Sequence, residues 1–153
     1  MHTFTDYINT PIGQMEITAN DNSVLSIYFV DRVKSVNSNA LTELAKQQLL
    51  QYFDGTLTEF DMPIELIGTD FQKRVWQALT SIEHGLTASY ADIANEINNP
   101  KAVRAVGAAN GKNPMTIVLP CHRIIGADGS LTGYASGVER KAWLLNHEAN
   151  TLF

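Results

Sequence analysis

Residues 116–123 read Thr116-Ile117-Val118-Leu119-Pro120-Cys121-His122-Arg123. Four β-branched or aliphatic residues stand between Pro114 and Pro120, a pattern that predicts a short buried strand. Proline lacks a backbone donor and ends regular pairing, so Cys121 is expected just past a strand end, on turn-like backbone. Such a position is rigid behind and accessible in front, which suits a nucleophile. Cys121 is the only cysteine of the chain, and a histidine follows it directly. The competing reading is a buried core cysteine without chemistry.

Upstream of this stretch the sequence reads as helices. Ser89 can cap a short helix, with Asp92 at the reciprocal position of a capping box and Ile93, Ala94 and Ile97 facing inward. Asn98-Asn99 makes a turn; Asn99 can cap the next helix, and Pro100 suits its first position. That helix is predicted over Lys101–Ala109, stopping at Asn110-Gly111. Two short helices joined by a tight turn form a helix-turn-helix candidate. The outward side of the second is mostly Ala and Gly, with Lys101, Arg104 and Lys112 at its margins. Small residues permit close backbone approach to another surface, and the cations suit phosphates. The same alanines could instead pack against another part of the protein. Before this pair, Thr69 or Asp70 can cap a helix with Phe71, Val75, Trp76 and Leu79 on one face, broken at His84-Gly85.

Downstream, Gly126, Gly129 and Gly133 mark a loop, and Tyr134-Ala135-Ser136-Gly137 leads into a last helix carrying Val138, Trp143, Leu144 and Leu145. Glu148, at the end of that helix, is one of few carboxylates that could pair with His122, and a Cys-His-carboxylate set can activate a thiol. The spacing alone leaves Glu148 free to be a solvated helix end.

The first part of the chain offers no chemistry. Met15–Ala19 and part of Val24–Val30 alternate apolar and polar around Asn20-Asp21-Asn22-Ser23, which predicts a β-hairpin. Leu41–Phe53 has helical spacing, with Gly55 as its stop, and Phe60–Ile67 looks extended around Pro63. The expected organisation is an α+β protein: a supporting lobe of strands and helix over residues 1–68, then a helical lobe over residues 69–153.

Composition limits the alternatives. At 153 residues, about 70% of the unfolded surface can be buried, so neither disulfide nor metal is needed as a staple. One cysteine can form no internal disulfide and no multi-cysteine zinc site, which favours a reducing compartment. No basic segment followed by an apolar core opens the chain, and no apolar run is long enough to span a membrane, so a cytoplasmic protein without membrane contact is expected. The net charge of -5 is uneven: -6 up to Gly68 and +1 from Thr69 onward. Nucleic-acid binding by the second half is permitted without being predicted.

Taken in order, Thr10-Pro11-Ile12-Gly13, Ser89-Tyr90, Asn99-Pro100-Lys101-Ala102-Val103-Arg104-Ala105-Val106-Gly107, Asn113-Pro114, Pro120-Cys121-His122-Arg123, Gly133-Tyr134 and Trp143-Leu144-Leu145-Asn146-His147-Glu148 resemble the O6-alkylguanine-DNA alkyltransferases. The likeness is strong from Phe71 to Glu148 and loose before that. It implies a ribonuclease-H-like first lobe and a helix-turn-helix second lobe, acting once on alkylated double-stranded DNA as a monomer, with no cofactor. Some members carry zinc in the first lobe; with a single cysteine, this chain should not.

The resemblance also implies roles. Cys121 would accept the alkyl group from O6 of a flipped guanine (the resemblance leaves O4 of thymine open as a second substrate), with His122 drawing the thiol proton through a water and Glu148 orienting the imidazole. Asn113 would be a hinge, and Tyr90 would press the phosphate aside and donate to the leaving base. Arg104 would fill the stack. Lys101, Ala102, Val103, Ala105, Gly107, Ala108, Asn110 and Lys112 would lie along the DNA. Tyr134, Ala135, Ile124 and Arg123 would line the guanine pocket. Ser136 stands where many members have a second glycine, which implies a stiffer loop. A rival lesion binder would lack the acceptor cysteine. A rival cysteine hydrolase would turn over repeatedly and leave the Arg104 helix without a role.

Overall fold

Alternation of inward and outward side chains builds the first sheet. In the computed structural model, which describes residues 2–151, β1 (Phe4–Thr10), β2 (Gly13–Ala19) and β3 (Val24–Val30) pair antiparallel in that order. Met15, Ile17 and Ala19 of β2 are fully buried, while Gln14, Glu16 and Thr18 between them are not. The predicted hairpin is β2–β3. Its turn closes on Asn20, whose Oδ1 accepts the N–H groups of Asn22 (2.8 Å) and Ser23 (2.7 Å). The sequence reading missed β1 because its buried run is Asp6-Tyr7-Ile8, which does not alternate. The inward Asp6 accepts the Tyr7 N–H at 2.7 Å and lies 3.7 Å from Lys46.

Helix α1 (Ala40–Phe53) packs on this sheet through Ala45, Leu49 and Tyr52. A reciprocal capping box between Asn39 and Thr42 starts it. Residues 60–67 run without a strand; only Ile64 forms a bridge, parallel to Val24.

The chain divides into two compact units, and the division is not a single cut. One unit holds the chain up to Ile67 together with Pro114–Val118; the other holds Gly68–Asn113 and the chain from Leu119 on. In the first unit, Met115 bridges Ile27, with Ile27 N–H on Pro114 O (2.9 Å) and Thr116 N–H on Ile27 O (3.0 Å). The strand predicted over Thr116–Leu119 does not form. Ile117 turns the backbone at φ 75° while fully buried, a left-handed conformation rare for a β-branched residue. The flanking prolines leave too few donors to extend the pairing.

The second unit is helical. Thr69 and Gln72 form a capping box on α2 (Asp70–Leu79), which buries Val75, Trp76 and Leu79. A side chain at Gly68 would sit 2.7 Å from the Trp76 ring, so glycine is needed where this helix begins. The short strand β4 (Ala88–Ser89) leads into α3 (Tyr90–Glu96), capped by Ser89 and Asp92 in the predicted box. Asn98, at φ 59°, makes the turn.

The next helix, α4 (Val103–Gly111), begins two residues later and ends two residues later than the spacing predicts. Asn99 does not cap it; Asn99 O instead closes a turn with Ala102 N–H (3.0 Å), leaving Pro100 and Lys101 outside the helix. Trp76 Nε1–H donates to Ala109 O at 2.8 Å and ties α2 to α4. A single 3-10 turn spans Cys121–Arg123. It continues into β5 (Ile124–Ile125), parallel to β4, a pairing that two-residue strands do not announce in sequence. After a loop, α5 (Val138–Ala149) buries Lys141, Leu144 and Glu148. Val138, expected inward, is 44% exposed, and Trp143 is half-buried with its ring stacked on His147. Among the described residues no helix is long and apolar enough to cross a membrane.

Candidate active site and helix-turn-helix face

Cys121 is the first residue of the 3-10 turn, its N–H bonded to Leu119 O at 2.7 Å. The turn-like backbone is as expected, but the thiol is not accessible: Cys121 is 6% exposed. Burial pushes the thiol pKa up, while the Asn113 amide, the Lys141 charge and the Tyr134 hydroxyl pull it back. Burial wins, so the resting group is a thiol held among donors that favour its anion.

Behind it, His122 and Glu148 are both fully buried, and His122 Nε2 lies 2.6 Å from Glu148 Oε2. Arg123 grips the same carboxylate with Nε on Oε1 (2.7 Å) and Nη2 on Oε2 (3.1 Å), and its Nη1 donates to Ile82 O at 2.5 Å. Burial alone would raise Glu148, but the hydrogen bonds and charges of His122 and Arg123 outweigh it and hold the carboxyl far below its usual range. Burial keeps His122 below the ordinary histidine value, against the pull of Glu148. The charged pair is therefore Arg123–Glu148, and His122 is a neutral imidazole. An ionised carboxylate accepts only, so the network assigns the His122 proton to Nε2 and leaves the lone pair on Nδ1. Nδ1 has no hydrogen-bond partner, and no hydrogen bond joins His122 to Cys121. Arg123, expected in the guanine pocket, is instead buried and committed to Glu148.

Two asparagines at the end of α4 grip the backbone on either side of Pro120. Asn113 Nδ2 donates to Leu119 O at 2.7 Å, and Asn110 Nδ2 makes a long contact of 3.4 Å to Cys121 O. Asn110, expected to face DNA, is buried because it shares the inward face with Val106 and Ala109. The rest of α4 is as the small-residue pattern describes: Val103, Arg104, Ala105 and Ala108 are exposed, as are Lys101 and Lys112, while Ala102 and Gly107 are half-buried. Tyr90 opens α3, and its ring lies over Gly107, where an added Cβ would be 3.7 Å away. The Tyr90 hydroxyl is 2.7 Å from Thr132 Oγ1. Burial first, then Cys121, raises the Tyr134 pKa well above 10.0, so it is a phenol at any working pH. Ile124 is buried, with its N–H on Cys121 O, and Ala135 is exposed.

Sequence reasoning missed Lys141. It is fully buried on α5 and donates to Thr132 O at 3.2 Å. Burial lowers its pKa, and Cys121 raises it. The signal was present: Lys141, Leu144 and Glu148 fall on one helical face, so an inward Glu148 brings Lys141 inward with it. Among the described residues, no three His, Cys, Asp or Glu side chains converge so as to hold a metal ion.

The same unit thus holds a lone buried thiol, a buried His122–Glu148–Arg123 network and a helix pair with a small-residue face flanked by cations. Residues 70–150 match the model of the 6-O-methylguanine DNA methyltransferase DNA-binding domain, and residues 4–66 match the ribonuclease-like domain of the same proteins. The methylated-DNA–protein-cysteine methyltransferase of Mycolicibacterium paratuberculosis is 46% identical over 144 residues, covering 90% of this chain and 87% of that one. Its counterpart from Methanosarcina barkeri is 43% identical over 157 residues, covering 97% and 99%. The crystal structure of the Mycobacterium tuberculosis O6-methylguanine methyltransferase superposes with a TM-score of 0.90 at 40% identity, covering 99% of this chain and 96% of that one. A crystal structure of Mycobacterium tuberculosis OGT in complex with DNA gives 0.89 at 43% identity, covering 99% and 94%. The chain belongs to the 6-O-methylguanine DNA methyltransferase family.

Proposed function

We propose that this protein repairs alkylated double-stranded DNA by moving the alkyl group from O6 of guanine to Sγ of Cys121, once per molecule. The observation that carries the proposal is the buried chain Arg123–Glu148–His122 behind the only thiol, in the unit that also bears α4. In the reaction the Sγ–C bond forms and the O6–C bond breaks. The thiol proton passes through a water to His122 Nδ1, Glu148 stabilises the resulting imidazolium, and the departing guanine anion becomes the 6-oxo base by taking a proton from solvent on its ring nitrogen. The Tyr90 hydroxyl donates to the departing base. The charge of Lys141 favours the thiolate.

O6 lies within the duplex stack, so the base must be turned out at a cost of a few kcal/mol, and Arg104 offsets part of that by entering the stack. The small-residue face of α4 permits close approach to the minor groove, with Lys101 and Lys112 on phosphates. Asn113 keeps α4 and the cysteine loop in register, and Tyr134 with the backbone of Cys121, Ile124 and Ala135 forms the guanine pocket. Residues 69–153 carry the reaction, residues 1–68 support them, and the protein acts as a monomer. The relatives named as methylated-DNA–protein-cysteine methyltransferases, and the neighbour solved with DNA, support this reading.

A thioether has no good leaving group, so the product is final. Protein titrated with excess methylated duplex should gain one methyl, about 14 Da by intact mass, on the thiol that acts as acceptor. Cys121→Ala should gain none while still binding DNA. Free product exceeding protein severalfold, with the mass of Cys121 unchanged, would overturn the proposal in favour of a turnover hydrolase.

A further inference from the structure

The loop between β5 and α5 contains glycines at 126, 129, 133 and 137, and its hydrogen bonds are mostly internal. Gly126 N–H bonds Ser130 O (2.8 Å), Gly129 N–H bonds Gly126 O (2.9 Å), and Gly137 N–H bonds Tyr134 O (2.8 Å). From its middle, Thr132 bonds to both α3 and α5. Its Oγ1 is 2.7 Å from the Tyr90 hydroxyl on α3, and its carbonyl accepts Lys141 Nζ of α5 at 3.2 Å. Thr132 is half-buried, and Leu131 and Gly133 on either side of it are exposed. Both partners are groups the proposed reaction uses: Tyr90 touches the leaving base and the charge of Lys141 favours the thiolate.

We infer that Thr132 is a positioning residue for the transfer step, its hydroxyl donating to the Tyr90 oxygen so that the Tyr90 proton is aimed at the leaving guanine. The inference rests on the alkyl-transfer reading above. A phenol oxygen both donates and accepts, and a hydroxyl of threonine can serve in either direction. When Thr132 Oγ1–H donates, the Tyr90 proton has no acceptor on Thr132 and turns outward, and accepting one hydrogen bond strengthens the other that the same oxygen donates. Lys141 tethers the Thr132 backbone through its carbonyl at 3.2 Å. Valine at this position would keep the shape and lose only the hydroxyl.

The test is a double-mutant cycle on the intact chain with methylated duplex, read as single-turnover transfer rate at saturating DNA and, separately, as the duplex Kd. Thr132→Val should slow transfer about tenfold, the upper worth of one such hydrogen bond, with Kd unchanged within about twofold. Thr132→Ser should restore the rate, and Thr132→Val should cost nothing further in a Tyr90→Phe background. Thr132→Ala serves as a second hydroxyl-free variant should valine crowd the loop. Equal losses with and without the Tyr90 hydroxyl would overturn the inference, because the threonine would then act through the fold alone. So would a Thr132→Val rate equal to wild type while Tyr90→Phe is slow. Wild-type protein that leaves Cys121 unmodified would instead overturn the alkyl-transfer reading itself.

Discussion

Arg123 and His122 share one carboxylate, and which of them carries the charge decides what the site can do. The Arg123 guanidinium grips Glu148 in two places, so Glu148 stays ionised and His122 stays a neutral base. Glu148→Gln leaves the buried guanidinium without its counter-charge. Breaking a buried pair in this way typically costs about 3 kcal/mol or more, so the variant should unfold at clearly lower urea and transfer more slowly. An unchanged urea midpoint would contradict the pairing. Arg104 makes the opposite case, since it is exposed on α4. Arg104→Ala should slow repair of duplex far more than reaction with free O6-benzylguanine, because only the duplex requires the stack to be refilled. Equal losses on both substrates would remove the intercalating role.

At the scale of the element, α4 does two jobs with its two faces. Val106, Ala109 and Asn110 point inward, and the exposed side is small and basic. With Arg123 turned inward to Glu148 and Arg104 proposed to enter the stack, Lys101 and Lys112 are the phosphate contacts the proposal leaves. At about -0.9 per contact, the slope of log K against log salt should be about -2. Binding measured over a salt series checks this, and a slope near zero would contradict a DNA-binding role for the face. The late start of α4 matters here, because Lys101 lies on the turn before the helix and not on its first turn.

Across the whole molecule, burying His122 as a neutral base sets how stability responds to acid. Its folded pKa lies below the ordinary 6.5, so the unfolded chain binds the extra proton first. Stability therefore falls as pH drops below about 6.5, by up to about 1.4 kcal/mol per pH unit for one proton. Glu148 works in the other window: its depressed pKa contributes stability that is full above about 4.5 and is lost only in stronger acid. Urea unfolding between pH 8 and 5 should show the first decline, and His122→Asn should reduce it, the remainder coming from His84, whose pKa burial also lowers; a wild-type profile level over that range would refute the assignment. The sequence by itself determined the features made by neighbours in the chain. Ser89 with Asp92, the Asn20 turn and the Pro-Cys-His-Arg turn are closed by hydrogen bonds within a few residues, so the local residue types suffice to specify them. Only the tertiary structure decided that β4 pairs with β5, that Ile117 turns instead of extending, and that Glu148 faces inward to be taken by Arg123 and His122. It also decided that Lys141 is buried where its charge favours the thiolate. Each of these depends on surfaces distant in sequence meeting and excluding water, where a charge or a strained backbone persists only if its partners arrive with it.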